Sequence, residues 1–245
     1  MPYSIQWLLS LIFIIQMYVA MLVVGVLYFI PALFKADYAL AACHAYCRWV
    51  LFSLRVLCRL EVEVRGTPPT EPALVAAKHQ SFLDIIAIFG AIPRGRFIMK
   101  RELIYAPVLG WFGLRIGCIP VNRGQRGAAV KKMLSDVKSG VQRAGQLIIY
   151  SQGTRVAPGV KKPYKVGTAV LYSQLQQPCY PVATNVGVFW PKRGIYRKPG
   201  RAVVDFLPPM PPGLPNDVFM AKLEKDVEAV SEALLVEVGF KAKGE

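Results

Sequence analysis

The chain has 245 residues, enough for one sizeable α/β domain with an appendage. It carries 30 Lys and Arg against 15 Asp and Glu, a formal net charge of +15, yet 54% of its residues are hydrophobic. The charge calls for an anionic partner, while the hydrophobicity argues against an ordinary soluble nucleic-acid binder and favours a membrane surface.

The first element is an apolar run, Ile5–Phe34, broken in polarity only by Gln6, Ser10 and Gln16. It is longer than a signal-peptide core, has no Lys or Arg before it and shows no clear cleavage site, so it reads as retained. At about 1.5 Å per residue a helix of this length can cross a hydrocarbon core of about 30 Å. Lys35, Arg48, Arg55 and Arg59 follow it, and the positive-inside rule then puts the rest of the chain in the cytoplasm. Pro31 breaks the run, however, and residues 32–60 form a second apolar helical segment whose arginines recur near helical spacing. Two readings stand at this point: a true span, or two helices lying in one leaflet. Residues 1–59 are expected to form this membrane-associated segment, and residues 60–245 an α/β domain.

From Leu60 the pattern changes. Leu60–Gly66 alternates as a half-exposed strand, and Ala73–Lys78 is a short buried strand. Phe82–Ala91 reads as a helix, Arg96–Lys100 as a strand, and Leu103–Leu114 as a helix interrupted at Pro107. Gly117–Val121 is a strand, Gly127–Ala144 a helix and Gln146–Tyr150 a strand. A helix over Val166–Gln176 precedes strands at Cys179–Asn185 and Ala202–Leu207. A stiff proline-rich connection then leads to a closing helix, Asn216–Val238, with Asn216 as its cap and Gly239 at its end. Alternating strands and helices predict a mixed, mostly parallel sheet flanked by helices, preceded by an apolar N-terminal helix or two-helix motif.

No phosphate-binding glycine loop follows a strand, so no nucleotide cofactor is indicated. The five cysteines are scattered and no Cys/His group has zinc spacing, so no metal is expected. The cysteines read as small core residues in a reducing compartment.

The sharpest chemical signal is "AAKHQSFLDI". His79 and Asp84 are five residues apart, about 500° on a continuous helix, and so would face different ways. They meet only if His79 precedes the helix and Asp84 lies in its first turn. Ser81-x-x-Asp84 has capping-box spacing and places the helix start at Ser81. A carboxylate near His79 fixes its tautomer and stabilises the imidazolium, which suits a general base. The plainer reading is a capping aspartate beside an incidental loop histidine.

Three further stretches follow in order: "CIPVNRG" with Arg123, "YSQGTR" with Arg155, and "QPCYPVATN" with Pro178 and Pro181. With His79-x4-Asp84 these resemble the four motifs of the glycerolipid acyltransferase family, the 1-acylglycerol-3-phosphate acyltransferases in particular. The likeness runs from about Leu60 to Val238. Two departures stand out. Asn122 replaces an aspartate often found before the arginine, and Gln152 replaces the glutamate of Glu-Gly-Thr-Arg.

The resemblance implies acyl transfer from acyl-CoA or acyl carrier protein, as donor substrate rather than cofactor, to the free hydroxyl of lysophosphatidic acid. His79 and Asp84 are then the catalytic pair, acting without an acyl-enzyme. Arg123, Arg155 and Lys100 are candidates for the acceptor phosphate, with Gln152, Gly153 and Thr154 forming the substrate-site loop. The implied partners are membrane lipids and a lysophospholipid, with no nucleic acid, at a bacterial-type inner membrane with the domain on the cytoplasmic side. Two rivals remain: another acceptor such as a lyso-ornithine lipid, and a basic membrane-binding protein without catalysis. Trp190 and Tyr196 read either as interfacial rings or as packing aromatics, and Trp111 and Phe112 as tunnel lining or core.

Overall fold

The computed structural model describes residues 2–121, Lys131, Ser135 and residues 144–240. Two helices, α1 (Tyr3–Phe34) and α2 (Ala36–Cys58), lead into β1 (Leu60–Gly66), β2 (Ala73–Ala77), α3 (Leu83–Ala91) and β3 (Gly95–Lys100). A 3-10 turn (Arg101–Tyr105) and α4 (Leu109–Arg115) precede β4 (Ile119–Val121) and β5 (Gln146–Tyr150). Then come α5 (Gly167–Leu175), β6 (Cys179–Thr184), β7 (Gly200–Phe206) and α6 (Asn216–Glu237).

The strands form one seven-stranded sheet in the order β1-β7-β6-β2-β5-β3-β4. The run from β6 to β4 is parallel throughout, and β7 turns antiparallel against β6 with β1 parallel beside it. The sheet is therefore mixed and mostly parallel. Central strands β2 and β5 are covered on both faces, which is why they read as short unbroken apolar runs. Their alternate residues feed two cores. Val75, Ala77 and Ile148 join a cluster with residues of α1, α2 and α3. Leu74, Ala76, Leu147 and Ile149 join the other, with α5 and α6. Each fully buried Val, Leu or Ile contributes roughly 1.5–3 kcal/mol to this packing.

The interruption expected at Pro107 separates the 3-10 turn from α4, because proline cannot continue the donor ladder. Other details differ from expectation. Asn216 is not the side-chain cap of α6. Pro215 holds that position, and Asn216 Oδ1 instead accepts a hydrogen bond from the Ser173 hydroxyl. Gly239 does end the helix, at φ +62°, with its N–H on the Val236 carbonyl and that of Phe240 on Leu235. The helix expected over Gly127–Ala144 falls largely outside the described residues.

Helices α1 and α2 are each long and apolar enough to cross a membrane. They form a hairpin whose two ends are both fastened to the α/β domain. At the base, Gln6 Nε2 donates to the carbonyls of Cys58 and Arg197, and Ser10 Oγ accepts the Arg197 N–H. At the tip, the Arg115 guanidinium donates to the carbonyls of Ala32 and Leu33. Between helices, Gln16 donates to Ser53 Oγ and accepts from Trp49 Nε1. All three polar interruptions of the apolar run are thus used on internal hydrogen bonds. The outward stripe Leu8, Ile12, Ile15, Val19, Leu22 and Val26 is exposed and purely apolar. A soluble amphipathic helix has the reverse arrangement.

Candidate active site

The site forms at the carboxyl ends of adjacent parallel strands β2 and β5, where open α/β sheets place their ligands. His79 follows β2 in extended chain, and α3 begins at Leu83. Ser81 Oγ accepts the Leu83 N–H, so Ser81 serves the helix start from two residues before its first helical residue. Asp84, wholly buried in the first turn, turns its carboxylate back along the chain. One oxygen, Oδ2, accepts three bonds: from Gln80 N at 2.6 Å, Ser81 N at 2.7 Å and His79 Nδ1 at 3.0 Å. Two backbone amides and the imidazole thus converge on one carboxylate oxygen at the start of α3. A carboxylate only accepts, so Nδ1 carries the hydrogen and Nε2 keeps the lone pair. His79 Nε2 makes no hydrogen bond among the described residues.

The loop after β5 is locked beside this pair. Ser151 N donates to the Ala77 carbonyl, Val156 N to the His79 carbonyl at 2.7 Å, and Lys165 N to the Ser151 carbonyl. Gly153 has φ +69°, and a Cβ there would lie 3.0 Å from the Lys165 side chain. Glycine is favoured by this conformation, whereas the flexible end of Lys165 could give way to a Cβ. Thr154 is half-buried behind it. Arg155 is also half-buried and has no acidic partner among the described residues. Its guanidinium makes one long bond, 3.4 Å, to the Lys192 carbonyl. Gln152 is fully buried; its Nε2 donates to the Lys162 carbonyl at 3.2 Å, and its Oε1 meets no donor among the described residues.

His79, Asp84 and the loop Gln152–Arg155 are thus brought together. Lys100 stands exposed at the end of β3, two strands from β2, so its strand lies roughly 10 Å from that of His79. Arg123 lies outside the described residues.

Three features of the site were not singled out from sequence. Lys78, only 3% exposed, pairs with Glu228 of α6 at 2.6 Å, and the Tyr164 hydroxyl donates to the other oxygen of Glu228 at 3.0 Å. Burial, and then the Glu228 charge, push the Tyr164 phenol well above its ordinary pKa. Gln80 Oε1 accepts the Gly187 N–H, tying the β6 end to the histidine segment. Tyr150 stacks on His79 with ring centroids 3.8 Å apart. A charged residue directly ending a fully apolar run, as Lys78 does after "ALVAA", was the readable signal for the first; the others depend on tertiary contacts.

The aromatic residues that read either way all make packing contacts, Tyr196 by stacking on Tyr3. Trp190 is buried edge-on to Phe13, with the Arg197 guanidinium 4.3 Å above its ring. Desolvation lowers the Arg197 pKa to about 10, so it remains charged at neutral pH. Phe112 packs with Ala32, Ala39 and Ala42 beneath the hairpin tip, and Trp111 sits against Phe29.

An apolar hairpin thus stands over a mostly parallel sheet, with a His–Asp pair and, among the described residues, an arginine without an acidic partner at the strand ends. The acyltransferase family profile matches residues 59–185, just over half of the chain, and the chain belongs to that family. It is 29% identical over 204 residues to the 1-acyl-sn-glycerol-3-phosphate acyltransferase of Pseudomonas aeruginosa, covering 82% of this chain and 79% of that one. It is 33% identical over 179 residues to 1-acyl-sn-glycerol-3-phosphate acyltransferase alpha of Bos taurus, covering 70% of this chain and 62% of that one. The fold matches the crystal structure of the 1-acyl-sn-glycerophosphate (LPA) acyltransferase of Thermotoga maritima. The TM-score is 0.78 at 22% identity, over 93% of this chain and 95% of that one.

Proposed function

We propose that the chain transfers a fatty acyl group from acyl-CoA or acyl carrier protein to the free hydroxyl of lysophosphatidic acid, giving phosphatidic acid. The observation that carries this reading is His79 Nδ1 held 3.0 Å from Asp84 Oδ2 while the Arg155 loop is hydrogen-bonded to the His79 backbone. His79 Nε2 takes the acceptor hydroxyl proton, and the resulting alkoxide oxygen attacks the thioester carbonyl carbon. The tetrahedral oxyanion collapses, the C–S bond breaks, and the leaving thiolate takes the proton back from the imidazolium. A new ester C–O bond replaces the thioester, and no protein nucleophile is consumed. Asp84 holds the tautomer and stabilises the transient cation. Arg155 receives the acceptor phosphate, since it is a half-buried cation without a carboxylate partner among the described residues. Arg123 and Lys100 supplement it. The relatives named above as 1-acyl-sn-glycerol-3-phosphate acyltransferases support the acceptor assignment.

The hairpin lies in one leaflet with its apolar stripe in lipid. From Gln6 to Ala32 is about 39 Å of helix. A helix fastened to the domain at both positions cannot cross a core of about 30 Å with the domain on one side. Arg48, Arg55 and Arg59 then serve as headgroup contacts, and the positive-inside count no longer sets an orientation. Five free cysteines fit a domain on the reducing, cytoplasmic face of a bacterial-type inner membrane.

The test is the purified full chain in mixed micelles with labelled acyl-CoA or acyl carrier protein and a panel of lysolipid acceptors. Label in phosphatidic acid supports the reading. Label only in another product, such as an acylated lyso-ornithine lipid, replaces the acceptor, and no transfer to any acceptor defeats the enzyme reading.

A further inference from the structure

Tyr150, the last residue of β5, lies with its ring against the imidazole of His79, centroids 3.8 Å apart and planes inclined by 16°. Phe97 of β3 stacks in turn on Tyr150, at 6.2 Å and 17°, so the tyrosine ring is supported by its neighbouring strand. The Tyr150 hydroxyl is buried and has no hydrogen-bond partner among the described residues. Among the described residues, then, the side chain meets His79 through its ring and not through a hydrogen bond. Burial, and then the nearby Asp84 charge, raise the phenol pKa well above its ordinary value, so the group stays neutral. What remains is the face of the ring, which carries the negative lobe of the aromatic quadrupole.

We infer that Tyr150 is a positioning residue for proton transfer: its ring face fixes the plane of the His79 imidazole and stabilises the imidazolium formed when Nε2 takes a proton. The inference rests on the reading of His79 as general base. Asp84 alone anchors one ring atom, Nδ1, and leaves the ring free to tilt about that hydrogen bond. Tyr150 removes the tilt, so the Nε2 lone pair keeps one direction. The same face attracts the cation more than the neutral ring, and the attraction is strongest where water is excluded. The support thus grows as the proton arrives, which is the condition for lowering the barrier rather than tightening substrate binding.

The test compares Tyr150→Phe, Tyr150→Leu, Tyr150→Met and His79→Ala in the full chain, with lysophosphatidate and acyl-CoA as substrates and circular dichroism as the control for folding. Tyr150→Phe keeps the face and loses only the unbonded hydroxyl, so its kcat is expected within about twofold of wild type. Tyr150→Leu removes the face and is expected to lower kcat by about tenfold or more, with the acceptor KM within about twofold. Tyr150→Met takes the place of the leucine variant if that one does not fold. A tenfold loss in Tyr150→Phe would overturn the inference, because the hydroxyl would then be the working group. So would full kcat in the folded leucine or methionine variant while His79→Ala is inactive. An active His79→Ala would instead defeat the base assignment itself.

Discussion

Replacing Glu228 by leucine is expected to cost far more stability than replacing its partner Lys78 by methionine. The two side chains form one ion pair, 2.6 Å long, but they are not equally buried: Lys78 is 3% exposed and Glu228 16%. Removing Glu228 leaves the Lys78 ammonium without its partner in a nearly closed site and also strips the Tyr164 hydroxyl of its acceptor. Loss of one partner of a buried pair costs about 3–5 kcal/mol. Removing Lys78 leaves a carboxylate that still accepts from Tyr164 and has some access to water, so about 1–2 kcal/mol is expected. For a chain of this size those figures correspond to drops of roughly 6–20 °C and 2–8 °C in Tm. The double variant should recover most of the loss, because two apolar side chains can replace a buried pair at little cost. Thermal unfolding in detergent, followed by circular dichroism, measures all three. Equal losses for the two single variants, or a double variant as poor as Glu228→Leu, would refute the reasoning.

Arg155→Ala is expected to raise the acceptor KM roughly 10–100-fold, the value of about 1.5–3 kcal/mol for a charge-assisted bond, with the donor KM little changed. Steady-state kinetics varying each substrate separate the two, and an unchanged acceptor KM removes Arg155 from the phosphate site. Gln152→Glu should keep turnover at saturating acceptor while raising the acceptor KM severalfold. A carboxylate cannot donate to the Lys162 carbonyl, and the loop carrying Arg155 loosens. Loss of kcat in that variant would tie Gln152 to proton transfer instead. Gly153→Ala is expected to lower stability by about 1–2 kcal/mol through its positive φ and to impair acceptor binding in parallel. Denaturant titration alongside acceptor kinetics checks it, and a neutral effect on both would show that the loop tolerates another conformation.

What the sequence disclosed follows from the range of the forces involved. Short apolar runs such as "ALVAA" and "QLIIY" mark central strands because both faces are covered locally. The His79–Asp84 contact was legible because capping-box spacing fixes a helix start within a few residues. The Gln152–Arg155 loop was legible as a hinge before a cation, but the bond from the following Val156 N–H to the His79 carbonyl was not, since the two segments are far apart in sequence. The ties between the hairpin and the α/β domain also lay beyond composition. Gln6 and Arg115 find backbone carbonyls across the fold, contacts that leave no periodic trace. Glu228 and Tyr150 escaped notice for related reasons. One sits on the polar face of an amphipathic helix and the other ends a strand, and each acquires meaning only from its neighbour in space.

The central claim is that His79, held by Asp84, takes the proton of the acceptor hydroxyl. The most direct measurement is kcat/KM for lysophosphatidate with purified wild-type and His79→Ala chains, after verifying that both fold and bind lipid vesicles equally. A fall of about 10²–10⁴-fold is expected, the usual worth of a general base. Turnover near the wild-type rate in a folded, membrane-bound His79→Ala chain would contradict it.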